Sequence, residues 1–367
     1  MSFCEKNNRK GENMNDNLSD LHTDRLIGSF GASAAAGLSS PVGGSMSHDR
    51  ITRMLSPEPG TSADLRRMVR PPIRQSETAD GVPITDDGIP EKPPTDGNEI
   101  ICRHHDRCGG RNAEGISFMT APYHSRKAVP PVGFQIVAET EYHTEKGREK
   151  RRCPVPKNRY CREMTSQAVR NRIRSGCVPA DVRSASAGNM MSGRHGMKKS
   201  SVMPVKADRS MAMSSSDRRQ GRYVRADEVM CGTDTPIKIF PGQADFPLFF
   251  IRQVFADRDG SEGVPYPVTA DTALTYEQIT AIYRRRRNTE CHHRSLRQNA
   301  SPEKPPGKIV NTRTNHFSAC LCGYVRPEML RFSGRSDHFA LKAEIYISAL
   351  RSAFSELQKL QPLKIAA

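Results

Sequence analysis

Four side chains in the last third of the chain share one face of a predicted helix: Tyr283, Arg286, Glu290 and Arg297. At about 100° per residue, their spacing confines them to an arc of roughly 60°. The face presents a phenol, two guanidinium groups and a carboxylate. Cations that follow phosphates, beside an acid able to hold a metal, are what DNA strand cleavage requires. A solvated basic helix would give the same pattern, so spacing alone leaves both interpretations open.

The helix that carries these side chains is predicted to begin at a capping box of Thr275 and Gln278 and to run to about residue 298. The segment before it changes to a period of two. Its apolar runs GRYVRADEV, PIKIF, PLFFIRQVFA and GVPYPVTA are separated by Gly, Asp and Pro. Residues 211–271 are therefore predicted to form a β-rich block.

Two further acidic sites stand at predicted strand ends. The strand in GVPITDDGI leads into Asp86 and Asp87, and a short strand, CVPADV, delivers Asp181. Two strands after Gly115 are predicted to form a hairpin, and SVMPVKAD is predicted to form another strand. Between them, the spacing of apolar residues in 157–174 indicates a helix, and 186–198 reads as a helix broken by Gly188.

The ends of the chain are predicted to be helical beyond a flexible start. Residues 48–70 have helical periodicity that Pro71 and Pro72 should end. Helices are also predicted near 314–332 and 338–360. In the last helix one apolar stripe should dock onto a partner surface; it comprises Ile347, Leu350, Phe354 and Leu357.

Composition narrows the class of protein. The 367 residues carry 56 Lys and Arg against 40 Asp and Glu, a net charge of +16, which favours a polyanionic partner. Charge alone does not separate nucleic acid from an anionic membrane. No apolar stretch reaches about 18 residues, and the first residues lack the apolar run of a signal peptide. We therefore expect a cytoplasmic protein whose ten cysteines are reduced thiols.

The segment TYEQITAIYRRRRNTECHHRSLRQNAS resembles the signature helix of the group-four insertion-sequence transposases, which are DDE enzymes. That signature reads Tyr, two residues, Arg, three residues, Glu, six residues, Lys. Tyr283, Arg286 and Glu290 match it, and Arg297 replaces the lysine. The likeness covers nearly the whole chain from about residue 20. In chain order its other blocks are SHDRITRMLS, GVPITDDGIPEKPPTDGNEIICRHHD, CVPADVRSASAGNMM, RQVFADRDGSEGVPYPVTAD, NASPEKPPGKIVNTRTNHFSACLCGYVRPEMLRF and SDHFALKAEIYISALRSAFSELQKL.

The resemblance implies an α/β, ribonuclease-H-like fold, in which helices flank a mixed sheet. A β-rich insertion separates the second aspartate from the glutamate, and further helices lie at both ends. The implied segments are a flexible N-terminal segment (1–45), a helical DNA-contacting region (46–75), the first part of the catalytic domain (76–210), the insertion (211–271), the second part with the signature helix (272–332) and a C-terminal helix (333–367).

The resemblance also implies the site. Asp86 or its neighbour Asp87, Asp181 and Glu290 would form the catalytic triad, with Asp86, Asp181 and Glu290 holding two Mg²⁺ or Mn²⁺ ions. The implied DNA contacts are Tyr283, Arg286, Arg294 and Arg297. The partners would be double-stranded DNA, as terminal inverted repeats and target DNA, and a second copy of the chain. A bacterial protein of this kind would associate with the nucleoid when bound to DNA.

Several positions depart from the family pattern. Arg183 and Arg287 stand where aromatic residues are usual, and Gly88 stands where a hydroxyl residue is usual. The apolar strands before the aspartates are interrupted at Pro83, Thr85 and Pro179. Proline removes a ladder hydrogen bond, and a buried unpaired arginine is costly. These changes predict compromised folding or activity. They leave two alternatives open: an inactive transposase relic, and a non-enzymatic basic protein that binds nucleic acid.

Overall fold

The computed structural model of the protein describes residues 22, 23, 26, 48–56, 58–91, 97–106, 111–125, 128–145, 147–177, 185–232, 234–256, 260, 262–305, 307–333, 343, 344, 347, 348, 350–352, 354 and 355. Its contacts group the chain into two compact units. One comprises residues 1–61 with 295–367, and the other comprises residues 62–294. The sequence resemblance implies six segments that are defined by function as well as by structure, and the division of the chain into those six stays a prediction.

The described residues include eight α-helices and sixteen short strands. In chain order the helices are α1 His48–Met54, α2 Ser62–Ser76, α3 Lys157–Arg170, α4 Ala187–Met191, α5 Ser215–Arg219, α6 Tyr276–Arg284, α7 Arg286–Ala300 and α8 Val310–Ser333. The strands are β1 Val82–Pro83, β2 Asp86–Gly88, β3 Ile101–Asp106, β4 Arg111–Ile116, β5 Phe118–His124, β6 Pro131–Ile136, β7 Glu141–Glu145, β8 Arg148–Arg152, β9 Val202–Val205, β10 Ser210–Ala212, β11 Val224–Arg225, β12 Ile237–Pro241, β13 Leu248–Phe250, β14 Phe255–Ala256, β15 Glu262–Gly263 and β16 Tyr266–Thr269. The protein is therefore mixed α/β with several antiparallel sheets.

The first sheet is built around β5, which pairs antiparallel with β1, β2 and β6. Its hairpin with β6 confirms the hairpin predicted after Gly115. Asp86 lies opposite Thr120, and Gly88 lies opposite Phe118. Every residue of β5 is buried, so this strand lies in the core of its unit. The prediction that a strand ends where Asp86 and Asp87 follow is wrong, because both residues belong to β2 itself, which pairs with β5.

Helices α2 and α3 pack on this sheet, α2 against β6 and α3 against both β5 and β6. The hydroxyl of Ser62, the first residue of α2, donates to the Phe134 carbonyl at 2.6 Å. The prediction that Pro71 and Pro72 end the helix is wrong, because α2 continues to Ser76. The two prolines lack the backbone N–H groups that would donate within the helix, but Pro72 itself is buried on the packed face of the helix. Packing of that face offsets the lost bonds.

The second sheet has six strands in the order β11-β10-β12-β13-β16-β9, and all of its pairs are antiparallel. It begins at Val202, earlier than the predicted block at 211–271, because β9 and β10 join it. A cluster of buried apolar side chains fills its inner face, in which the rings of Phe250 and Tyr266 stack at 5.7 Å. The hairpins β3-β4, β7-β8 and β14-β15 pair separately.

Helix boundaries differ from the sequence predictions in two places. Gly188 lies inside α4, and the helical path continues as a π-helical turn from Ser192 to Gly196, so Gly188 does not break the helix. Helix α3 ends at Arg170 rather than near residue 174. Its end is closed by the Ile173 amide donating to the Ala168 carbonyl, which is the Schellman arrangement.

In the smaller unit α1 and the chain after it are tied to α8. The Asn315 side chain accepts from the Gly60 amide at 2.6 Å and donates to the Leu55 carbonyl at 3.0 Å. The described residues between 343 and 355 are helical, as predicted. In the predicted docking stripe Ile347, Leu350 and Phe354 are exposed, whereas Leu357 lies outside the described residues. Within the part of the chain that the structure describes, we find no helix with the length and apolar character needed to traverse a bilayer.

Candidate active site

The two neighbouring aspartates on β2 point to opposite faces of the first sheet. Asp87 forms an ion pair with Lys157, whose Nζ donates to Asp87 Oδ2 at 2.6 Å, and the Asp87 side chain is only 8% exposed. Thr85, two residues earlier, contacts Cys161 Sγ at 2.8 Å through its hydroxyl. Both partners belong to α3, as expected because alternate residues of a strand share one face. Asp86 therefore points away from α3.

Helix α7 covers the face towards which Asp86 points. His293 Nε2 and Thr120 Oγ1 are 2.8 Å apart, and Thr289 Oγ1 and His124 Nε2 are 3.0 Å apart. The earlier helix residue thus meets the later strand residue, so α7 runs antiparallel to β5. The His293 ring also packs edge-on against Phe118, with the ring centroids 5.2 Å apart. A buried polar stripe on the helix is matched by hydroxyl and imidazole groups on the strand.

This packing brings Asp86 next to α7. Asp86 Oδ2 lies 3.8 Å from His293 Nδ1, and the two side chains are 13% and 9% exposed. The distance is too long for a hydrogen bond but suits an electrostatic contact. An ionised carboxylate can only accept hydrogen bonds. The interaction with Asp86 is therefore favourable when the His293 proton is on Nδ1. Nε2 then accepts from the Thr120 hydroxyl.

Glu290 stands one helical turn before His293. Residues three apart on a helix have Cβ atoms about 5–6 Å apart, so Glu290 adjoins the part of α7 that meets Asp86. Its side chain is 55% exposed and forms an ion pair with Arg286 Nη2 at 3.5 Å. An exposed pair of this kind is weak. The Glu290 carboxylate is therefore open to solvent, whereas Asp86 is largely buried.

The single helix predicted from Thr275 to residue 298 is interrupted at Arg285. The capping box of Thr275 and Gln278 is confirmed, but α6 ends at Arg284 and α7 begins at Arg286. The Arg285 amide donates to the Ile282 carbonyl three residues earlier, which closes a tighter turn than the four-residue bond of an α-helix. Its guanidinium donates to the Asp80 carboxylate at 2.8 Å and to the Asp80 carbonyl. These anchors explain the break.

The break separates Tyr283 from the other three residues of the predicted face. Tyr283 is 9% exposed and packs with Val202, Ile251 and Ile279 in an apolar cluster. The prediction that one continuous helix face presents Tyr283 beside Glu290 is wrong for this reason. Its predicted contact with a phosphate stays a prediction.

The predicted cationic DNA contacts lie at the surface. Arg286 is half-buried beside Glu290, whereas Arg294 and Arg297 are exposed on α7. Arg297 belongs to the smaller unit and Arg294 to the larger. Arg287 was expected to bury an unpaired charge. It is instead exposed, with its guanidinium 5.4 Å from the centre of the Phe255 ring, so the expected cost does not arise there.

The histidine pair beside Glu290 does not face solvent. His292 is 2% exposed and His293 is 7% exposed, because α7 turns both into the protein. Sequence reasoning also missed Lys157 as the partner of Asp87. One signal for His293 was available: Thr289 and His293 are four residues apart, the spacing of one helix face.

Asp181, Arg183 and Pro179 lie outside the described residues. Among the residues that are described, no group of three or more His, Cys, Asp or Glu side chains is arranged to hold a metal ion. The structure thus brings together two of the three acidic elements, the strand of Asp86 and the helix of Glu290. No protein-family model and no curated protein matches this chain.

Proposed function

We propose that the protein is a DDE transposase that cleaves DNA strands and joins them to target DNA in a metal-dependent reaction. One observation carries the proposal. Asp86 and the helix of Glu290 are remote in sequence, yet they meet through the 3.8 Å contact between Asp86 and His293. A strand carboxylate next to the helix that bears the glutamate is the arrangement that the sequence resemblance implies. The ribonuclease-H-like topology is part of the same proposal.

The chemistry of the two carboxylates suits hard divalent cations. Carboxylate oxygens are the protein ligands that Mg²⁺ and Mn²⁺ prefer. Glu290 is exposed and only weakly paired, so little would be lost when its oxygens are recruited. Asp86, Glu290 and Asp181 are the residues we propose as ligands. Two such ions would supply activation of the attacking hydroxyl and stabilisation of the leaving oxygen.

Other residues of the chain have supporting roles in the proposal. His293 holds Asp86 towards α7, while Lys157 holds Asp87 on the other face, so Asp86 is the better candidate of the pair. Arg286, Arg294 and Arg297 are accessible guanidinium groups that can each bind a phosphate through two donors. We leave Tyr283 out of this set because it is packed in the core. Terminal inverted repeats, target DNA and a second copy of the chain are the proposed partners.

A nicking assay on supercoiled DNA with Mg²⁺ or Mn²⁺ tests the proposal. Glu290→Gln should reduce cleavage at least about 100-fold, since it removes a proposed metal ligand. Glu163→Gln is a matched control, because Glu163 on α3 is 54% exposed and pairs with an arginine four residues away, as Glu290 does. Its activity should equal that of the unaltered protein. Cleavage that persists in Glu290→Gln would contradict the assignment of the acid.

A DNA-binding relic without cleavage is the second candidate. The net charge of +16 favours it as much as it favours the enzyme. Misfolding is not the expected reason for such a loss of cleavage. Two of the residues that depart from the family pattern have partners in the fold, since Thr85 contacts Cys161 and Arg287 lies over Phe255. Salt-sensitive DNA binding, a cooperative unfolding transition and no metal-dependent nicking would favour the relic.

A further inference from the structure

A cleft lined by five arginines lies between α2 and the end of α3, apart from the carboxylates of the candidate active site. Its volume is about 310 Å³. Ile73 and Ile173 form its apolar floor and are both buried. The arginines are Arg66, Arg70, Arg74, Arg170 and Arg172. We refer to this cleft as the arginine groove.

The arrangement of these arginines follows from the two helices. Arg66, Arg70 and Arg74 are spaced by four residues, so they stand on one face of α2 at successive turns. With a rise of 1.5 Å per residue, the three span roughly 12 Å. Arg170 is the last residue of α3, and Arg172 follows it with a φ of 54°. The opposite wall of the groove is thus the end of a helix.

The far wall is held in place by Arg74. Its Nη1 donates to the Arg172 carbonyl at 3.0 Å, and its Nη2 donates to the Asn171 carbonyl at 2.9 Å. These carbonyls at the end of α3 carry partial negative charge, which the guanidinium compensates. Arg74 also pairs with Glu77 at 2.9 Å. Its role in the groove is therefore structural.

The other guanidinium groups have no such compensation. Among the described residues no acidic side chain forms an ion pair with Arg66, Arg70 or Arg172, and no acidic residue lines the groove. Arg170 donates to the neutral side chain of Gln167 at 2.9 Å. Like charges held together repel one another unless an anion lies between them. The groove is a preformed site for a ligand with several negative charges.

We propose that the arginine groove binds the phosphodiester backbone of double-stranded DNA. Guanidinium groups match phosphate oxygens through paired donors. A DNA strand carries one phosphate per about 3.4 Å of helix axis, and Arg66 and Arg70 are about 6 Å apart along α2, so these two arginines would contact about two phosphates. A membrane surface is a poorer fit, because the isoleucines of the groove are buried and offer nothing to insert. Contacts of this kind position a protein on DNA without reading sequence.

The proposal rests on DNA as the partner named under the proposed function, but not on cleavage. The test is the salt dependence of binding to a short DNA duplex, measured by fluorescence anisotropy on the full chain. The groove variant is Arg66→Gln, Arg70→Gln and Arg172→Gln together. Arg74 is left intact because it holds the wall. The control variant is Arg111→Gln, Arg152→Gln and Arg159→Gln, which removes the same charge from exposed arginines paired with glutamates.

Each lost phosphate contact lowers the slope of log Kd against log salt by about 0.9. The slope of the groove variant should therefore be lower than that of the parent by about two to three, and the slope of the control variant by less than about 1. Both variants should keep the unfolding midpoint of the parent, which shows that they are folded. Equal losses in the two variants, or no loss in the groove variant, would overturn the proposal. So would a groove variant that loses binding to phosphatidylserine vesicles but keeps its DNA slope. A failed nicking assay leaves this slope difference intact, so the two proposals fail separately.

Discussion

His293 Nδ1 lies 3.8 Å from Asp86 Oδ2, and the same imidazole contacts the Thr120 hydroxyl through Nε2 at 2.8 Å. Asp86 and Thr120 are directly opposite each other in neighbouring strands. One buried imidazole therefore joins a helix to two paired strands at the point where the candidate carboxylate stands. This relationship gives Asp86 and Asp87 different environments and yields the first two predictions.

Asp86→Asn should impair activity, whereas Asp87→Asn should impair stability. Asp87→Asn breaks a largely shielded ion pair with Lys157 and should lower the free energy of unfolding by about 1–2 kcal/mol. Asp86→Asn should abolish metal-dependent nicking with a stability change below about 1 kcal/mol. Urea unfolding and the nicking assay measure the two effects. If Asp87→Asn alone abolishes nicking in a folded protein, Asp86 is not the ligand.

A double-mutant cycle of Thr120→Val and His293→Phe should show coupling. Each single change leaves a buried polar group without its partner, which costs about 1–3 kcal/mol, whereas the double change removes both groups. The double variant should be less destabilised than the sum of the singles by about 1 kcal/mol or more. Thr120→Val combined with Ser214→Ala, at the N-cap of α5, should be additive within about 0.5 kcal/mol. Additivity of Thr120→Val with His293→Phe would refute the coupling.

Placing a hydroxyl side chain at Gly88 should destabilise this protein. A Cβ atom on Gly88 would lie 2.5 Å from Phe118 Cζ, and Phe118 is 1% exposed and packs on His293. Gly88→Ser should therefore cost about 1–3 kcal/mol in thermal or urea unfolding. Gly263→Ser is the control, since a Cβ there meets nothing within 4 Å. Equal stability of the two variants would show that Phe118 yields without cost.

Stability should fall at alkaline pH through Cys177. Burial raises the pKa of its thiol from 9.0 to about 12. Above about pH 9 the unfolded chain releases this proton while the folded chain retains it, so the unfolded state gains and stability declines towards pH 12. Below pH 9 this thiol contributes no pH dependence. Urea unfolding from pH 8 to pH 11 should show a shallower decline for Cys177→Ala; parallel curves for the two proteins would contradict the assignment.

The sequence by itself determined the local elements. Period-two patterns gave the β5-β6 hairpin and the strands of the second sheet, and the capping residues gave the start of α6 at Tyr276. These features depend on interactions between residues near one another in the chain, such as the exchange of hydrogen bonds between Thr275 and Gln278. Where the prediction of an element was wrong, as at Pro71 and Pro72, packing of the buried helix face outweighed local preference.

Only the tertiary structure decided which side chains meet. The orientation of Asp86 towards α7, the burial of Tyr283 and His292, and the arginine groove all depend on contacts between segments far apart in sequence. Helical spacing fixes which residues share a face, but not whether that face turns to solvent or to a sheet. Arg285 shows the physical reason, because its guanidinium donates to Asp80, 205 residues away in the chain, at the point where α6 ends.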